Sequence, residues 1–168
     1  MRIRYSFMLG AALTTPALAA DLNVKLDIPQ LDVAEYHKPY VALWIENGDQ
    51  AFVRNLAVWY DIRKKDGAGT RWLKDVRQWW RKSGHDLQMP VDGISGATRP
   101  PGEYTLTFSS TKLGQLPPGR YALVAEAARE AGGREVVRIP FQWPPKGVQT
   151  AQAAGKEELG AVSVTLQP

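Results

Sequence analysis

The chain has 168 residues, with 21 Lys and Arg against 17 Asp and Glu, and it contains no cysteine. The missing cysteines exclude a disulfide framework, a thiolate nucleophile, an iron–sulfur site and c-type haem attachment. The length fits about one domain. The net charge of +4 is too small to indicate a nucleic-acid-binding protein.

The first twenty residues have the pattern of a secretory signal peptide. Arg2 and Arg4 precede an apolar run from Phe7 to Leu13, and Ala17-Leu18-Ala19 supplies an A-x-A cleavage site. We therefore expect cleavage near Ala19 or Ala20, a mature domain over 21–168, and a periplasmic location. A short membrane anchor is the alternative for this segment, although its apolar run is too short to span a bilayer.

Strand patterns follow along most of the mature chain, separated by turn signals such as Gly132-Gly133, which predicts a hairpin. Seven short strands at this spacing predict an all-β fold, an antiparallel immunoglobulin-like β-sandwich, with a small barrel as the alternative. The predicted strands are 22–28, 40–46, 52–62, 103–109, 120–128, 134–142 and 159–166.

One segment, Thr70 to Gly84, breaks this β pattern. Its large apolar residues recur at i, i+4, i+7 and i+8, which predicts one short amphipathic helix with these side chains on a single face: Trp72, Val76, Trp79 and Trp80. We expect Thr70 to cap its start and Gly84 to end it. The segment from Trp143 to Glu158 has the composition of a long surface loop.

Between the helix and the fourth predicted strand lies a stretch of small and hydroxyl-bearing residues, VDGISGATRPPGEY, over 91–104. It contains the pattern D-x-x-S-G-A-T, formed by Asp92, Ser95, Gly96, Ala97 and Thr98. This pattern resembles the acceptor motif of FAD:protein FMN transferases. The resemblance implies that Thr98 receives FMN through a phosphodiester bond, with the transferase as a partner.

The residue types suit such an attachment. Thr98 offers a hydroxyl, a weak nucleophile that an enzyme must activate, so the base and metal would belong to the transferase. Gly96 permits unusual backbone angles, and Ala97 adds little bulk beside the hydroxyl. We expect Asp92 to order an accessible loop through an Asx turn. The alternative is an ordinary Gly-rich turn.

A second resemblance covers roughly residues 21–168. The signal peptide, the block D-G-x-S-G-A-T-R-P-P-G-x-Y and the segment from Pro118 to Glu130 resemble the domain of unknown function 2271 family, predicted periplasmic proteins of Gram-negative bacteria. The resemblance implies an electron-transfer role beside a PepSY-type inner-membrane protein, with a link to iron uptake.

Four further residues are candidates for contact with a bound flavin. Trp79 or Trp80 would stack on its ring, against the alternative of core packing, which we favour for Trp72 and Val76. Arg99 would pair with the phosphate, or else be solvated. His85 would stabilise reduced flavin, or else be simply exposed.

His85 and His37, the two histidines, lack metal-ligand spacing, so no metal is expected. The run Arg77 to Lys82, RQWWRK, predicts either a solvated helix face or transient contact with a membrane surface.

The sequence thus favours a periplasmic redox carrier with FMN on Thr98, rather than an enzyme with its own substrate. A non-catalytic binding module, in which SGAT is only a turn, is the main alternative. A hydrolytic enzyme is the third, and it lacks an assembled nucleophile and base.

Overall fold

Two β-sheets packed face to face form the protein in a computed structural model, which describes residues 20–168. The nine strands are β1 (Asp21–Ile28), β2 (Tyr40–Asn47), β3 (Phe52–Tyr60), β4 (Ser95–Ala97), β5 (Gly102–Phe108), β6 (Gly119–Ala128), β7 (Arg134–Trp143), β8 (Gln149–Ala154) and β9 (Ala161–Gln167). The α-helices are α1 (Arg77–Lys82) and α2 (Ser110–Leu113), and 3-10 helices span Lys65–Asp75 and Gly84–Asp86.

The first sheet has the strand order β5-β1-β9-β8, and the second has the order β4-β3-β2-β6-β7. Neighbouring strands are antiparallel except for β3 and β4, which run parallel. The predicted β-sandwich is confirmed, with nine strands in place of seven. The predicted signal peptide, apart from Ala20, lies outside the described residues.

The core between the sheets is built from strands in which every second side chain is apolar and buried. On β1, Leu22, Val24 and Leu26 are fully buried while the residues between them are exposed or half-buried. The same alternation on β9 buries Val162 and Val164. Successive side chains of a strand point to opposite faces, so each strand of the first sheet offers one apolar face to the core.

Strand β2 is different because it is buried on both faces. Leu43 belongs to the core between the sheets, whereas Trp44 packs with Tyr60 and Trp79 on the outer face of the second sheet. The helical segment 65–86 covers this outer face and forms a third layer. Among residues 20–168, no helix is long and apolar enough to cross a membrane.

The helix predicted over 70–84 is only partly correct. A 3-10 helix runs to Asp75 and α1 follows from Arg77. The buried residues Leu73, Val76 and Trp79 are therefore three apart, as a 3-10 turn places them, instead of following a period of 3.6. Trp72 consequently points outward, so its assignment to the core was wrong. Thr70 lies inside the 3-10 helix and does not cap it.

Two other turn and loop predictions have different outcomes. The hairpin at Gly132-Gly133 is confirmed, and it joins β6 to β7 with a bond from Gly132 N to Arg129 O. The long loop predicted over 143–158 is wrong in its middle, because β8 lies there and pairs with β9.

Helix α1 is held to the sheet by a buried carboxylate. Its N-cap residue, Val76, has no side-chain cap. Instead Glu126 on β6, which is fully buried, accepts bonds from the backbone N–H groups of Gln78 at 3.0 Å and Trp79 at 2.8 Å. Arg134 on β7 pairs with the same carboxylate at 2.8 Å. Glu126 thus satisfies free N–H groups at the helix start from a different element.

Replacing Glu126 tests this role. Glu126→Ala leaves the buried N–H of Trp79 and the part-buried N–H of Gln78 without an acceptor, and we expect the free energy of unfolding to fall by about 2–3 kcal/mol. Glu103→Ala is the matched control, because Glu103 forms an exposed ion pair with Lys25 and should cost less than about 1 kcal/mol. Chemical denaturation of both variants measures the difference. Equal, small losses would contradict a capping role for Glu126.

Candidate functional site

The segment that contains the acceptor-like motif is an edge strand of the second sheet. Strand β4 pairs in parallel with β3, so that Ser95 faces Val58 and Ala97 faces Tyr60. The pairing extends beyond the strand, because the backbone N–H of Thr98 donates to Tyr60 O at 3.1 Å. The motif is therefore an ordered edge strand, in contrast to the loop expected from its composition.

The turn before β4 is held by Ser95. Its hydroxyl accepts a bond from Val91 N at 2.8 Å, and its own N–H donates to Val91 O at 3.0 Å. Asp92 is exposed, and among the hydrogen bonds of residues 20–168 none involves its carboxylate. Ser95 therefore has the ordering role that the sequence led us to expect of Asp92.

Gly96 is required for close approach. Its φ is not positive, so the expected need for unusual backbone angles is wrong. A Cβ at this position would lie 3.1 Å from Cδ1 of Trp59, which is tighter than most packed contacts. The indole of Trp59 thus lies against the backbone of β4.

Arg99, directly after Thr98, packs over the ring of that indole. Its guanidinium carbon lies 4.1 Å from the ring centre of Trp59 and 4.9 Å from that of Tyr104. The two rings meet edge to face at 5.7 Å. Trp59 and Tyr104 belong to different sheets, so Arg99 joins the sheets at this end through cation–π contacts. Arg99 is therefore half-buried against two rings, in contrast to a freely solvated side chain, and its contact with a phosphate stays a prediction.

Thr98 lines a cavity of about 300 Å³ at the end of the second sheet. Because β3 and β4 are parallel, their carboxyl ends meet here, beside the start of β2 and the end of β6. The other lining residues come from four further chain segments: Tyr36, His37, Lys38, Tyr40, Asp61, Arg63, Lys64, Trp72, Asp75, Ala128, Arg129 and Glu130.

Three aromatic side chains give the cavity its apolar surface. Of the six tryptophans, all within residues 20–168, Trp72 alone is exposed, with 45% of its surface accessible. Tyr40 donates to Gly69 O at 3.0 Å, and burial raises its pKa above the ordinary value of 10.0. Burial likewise raises the pKa of Tyr36. Both phenols therefore stay protonated at neutral pH.

The cations of the cavity fall into two groups. Arg129 is already paired, because its guanidinium donates hydrogen bonds to both carboxylate oxygens of buried Glu158 at 2.9 and 3.0 Å. Lys38, Arg63 and Lys64 are exposed, and within the described chain no carboxylate oxygen lies within 4.0 Å of their nitrogens. These three side chains are available to an anionic group. Asp61, Asp75 and Glu130 line the same cavity and offset part of this positive charge. Planar aromatic surface beside exposed cations suits a planar ligand that carries phosphate.

Three residues singled out in the sequence lie outside this cavity. Trp79 is fully buried, its indole N–H donates to Asn55 at 2.8 Å, and Gly84 packs against its ring. Trp80 is half-buried beside Trp79, with the two ring centres 6.2 Å apart. His85 is exposed and its Nδ1 lies 2.8 Å from Trp80 O. The tryptophan that lines the cavity with Thr98 is Trp72.

Sequence reasoning missed most of the cavity. His37, which lies 3.2 Å from Glu35 and 3.8 Å from Glu130, lines the cavity, whereas the sequence had shown only its lack of metal-ligand spacing. Tyr36 and Tyr40 flank it without a motif. One usable signal was present: the period-3 spacing of Leu73, Val76 and Trp79 would have turned Trp72 outward.

The position of Arg99 makes a testable prediction. Arg99→Ala removes cation–π contacts to two rings, and we expect the free energy of unfolding to fall by about 1–2 kcal/mol. Arg99→Lys should recover part of this loss, since an ammonium also binds a ring face. Denaturant titration measures both. A loss below about 0.5 kcal/mol for the alanine variant would mean that the guanidinium is effectively solvated.

The family model described as "Predicted periplasmic protein (DUF2271)" matches residues 21–161. The chain belongs to this family, and the periplasmic location predicted from the sequence is thereby confirmed. No curated protein and no protein of solved structure matches the chain.

Proposed function

We propose that this periplasmic protein carries FMN covalently on Thr98, through a phosphodiester bond, and transfers electrons. The observation that carries the proposal is the position of Thr98. The residue that the motif marks for attachment directly follows an edge strand and lines a cavity with the exposed ring of Trp72 and three unpaired cations.

The attachment chemistry explains why an edge position is needed. The Thr98 oxygen would form a bond to the FMN phosphorus of FAD while the pyrophosphate bond breaks, with AMP as leaving group and the hydroxyl proton passing to a base. That base and a metal would come from the FAD:protein FMN transferase. An edge strand exposes backbone groups that another protein can pair with, so β4 suits presentation to such an enzyme.

The cavity suits FMN both in the chemistry of its lining and in its size. Its volume of about 300 Å³ is at the small end for ligand sites, so part of a tethered flavin would stay exposed. Lys38, Arg63 and Lys64 would balance the phosphodiester charge, and Trp72 would hold the ring by stacking. Bound FMN would supply reversible uptake of two electrons.

The chain's own residues would hold the flavin in place and shield it from water. Trp72 and Tyr40 would exclude water from one face of the flavin, while the protonated phenol of Tyr40 stays bonded to Gly69 O. The cations would favour the reduced, anionic state by their charge. We further propose, from the family resemblance, a PepSY-type inner-membrane protein as the redox partner and iron uptake as the process served.

Removing the hydroxyl tests the attachment. When Thr98→Ala is co-produced with an FMN transferase, we expect a folded, exported protein without flavin, because no oxygen remains to bond phosphorus. The wild type should gain the mass of FMN less one water, on the peptide that contains Thr98. Intact mass spectrometry with peptide mapping measures both. Thr98→Ser should still be modified, and Thr105→Ala on β5 is the control for an unrelated hydroxyl.

Two results would contradict the assignment. Covalent flavin retained in Thr98→Ala would place the attachment elsewhere. An unmodified wild type, made beside a transferase that modifies a known acceptor, would mean that SGAT is only a structural edge strand. The cavity would then belong to a non-catalytic binding module.

The role of Trp72 can be tested separately. An indole stacked on a flavin quenches its fluorescence, so in Trp72→Ala we expect normal attachment and a several-fold brighter flavin. Trp80→Ala is the matched control, because Trp80 lies outside the cavity and should leave the fluorescence unchanged. Equal brightness of Trp72→Ala and wild type would show that the flavin does not rest on this ring.

A further inference from the structure

The positive charge of the protein is concentrated in one segment of the chain. Residues 63–82 contain eight Lys and Arg against two Asp and Glu, whereas the rest of residues 20–168 contains eleven against fifteen. The net charge of the chain is small, yet its distribution is strongly uneven. We call the exposed Lys and Arg side chains between residues 63 and 81 the basic face.

The basic face is held in place by the packing beneath it. Leu73, Val76 and Trp79 point into the outer core, so the cations between them point away from the sheet. In the described chain, Lys82 is the member of 63–82 that pairs with a carboxylate, at 3.0 Å from Glu46. The seven exposed cations outnumber Asp66 and Asp75, the two acidic residues of the same segment, so the segment presents a concentrated positive charge.

The basic face borders the cavity that contains Thr98. Arg63 and Lys64 belong to both, and Trp72 lies among the cations. Ile62 and Trp72, with 36% and 45% of their surfaces accessible, are two of the four exposed large apolar residues of residues 20–168. Arg and Trp are enriched where proteins contact one another.

We propose that the basic face is the docking surface for a redox partner that presents an acidic protein surface. This inference rests on the proposed function, since a flavin on Thr98 would lie at its border. A partner seated here would cover the cavity mouth and come within electron-transfer distance of the flavin. A lipid surface on the same face would cover the cavity and separate the flavin from any protein partner. The position of the cavity therefore favours a protein.

Two redox proteins of opposite charge provide the probes. An acidic blue-copper plastocyanin and the basic mitochondrial cytochrome c each accept one electron, so two molecules oxidise one reduced flavin, whose protons pass to water. The photoreduced, flavin-carrying protein is mixed with each in a stopped-flow instrument. We expect the rate constant with plastocyanin to fall about tenfold as ionic strength rises from about 20 to about 300 mM. The rate constant with cytochrome c should not fall.

Two matched variants separate the basic face from net charge. Arg71→Glu, Lys74→Glu and Arg77→Glu together should abolish the preference for plastocyanin. Arg120→Glu, Lys146→Glu and Lys156→Glu change the net charge equally, at exposed positions outside the basic face, and should keep it. Equal loss in both variants, or no preference in the wild type, would overturn the proposal.

A flavin-free arm separates this proposal from the function on which it rests. Isotope-labelled Thr98→Ala protein is titrated with plastocyanin at low salt, and we expect NMR shifts confined to residues 62–82 and to the other residues that line the cavity. Shifts elsewhere, or none, would overturn the docking surface whether or not flavin attaches. Sedimentation with vesicles that contain phosphatidylglycerol tests the lipid alternative. Binding that depends on the basic face, without the plastocyanin shifts, would overturn the proposal in favour of a membrane.

Discussion

Two buried carboxylates hold the outer layer on the second sheet, and the rest of the site depends on that layer. Glu126 on β6 bonds the backbone at the start of α1, and Glu46 on β2 bonds Lys82 near its end. Burial alone would raise the pKa of Glu46. Hydrogen bonds from Lys82 and Trp44 and the charge of Arg138 outweigh this effect, so the pKa lies below its ordinary value of 4.5. The group therefore stays ionised at periplasmic pH. Its contribution to stability is complete above pH 4.5 and is lost as the pH falls through the lowered pKa.

This constraint links the fold to the candidate site. The segment 65–86 turns Leu73 inward and Trp72 outward, so docking of the segment also sets one wall of the cavity. Another part of the wall follows β4, whose parallel pairing with β3 brings Thr98 to the same end of the sheet. Gly96 permits the contact with Trp59 that this pairing requires. A change that loosened either wall would move Thr98 and Trp72 apart without touching either residue.

The sequence predicted the sandwich well because alternation is a local property. Leu22, Val24 and Leu26 reveal a buried face within one strand, with no knowledge of its partner. Strand β8 was not predicted because its sequence, QTAQAA, has only small or polar side chains. Its strand conformation depends on pairing with β9. Strand β4 has three residues, and its pairing with β3 joins residues about 37 apart in sequence. The cavity combines five separate segments, and no local pattern predicts such convergence.

On the proposed function, a shallow cavity is sufficient because the attachment is covalent. A short tether gives an effective concentration of the order of millimolar, so a site with an intrinsic dissociation constant near 0.1 mM would hold the ring about nine-tenths of the time. Stacking on Trp72 and charge from Arg63 and Lys64 are interactions of that modest strength. A deeper pocket would bind more tightly but would also bury the ring from a partner. The cavity's small volume, its exposed tryptophan and its cationic border therefore satisfy one requirement: the cofactor must be retained yet remain accessible.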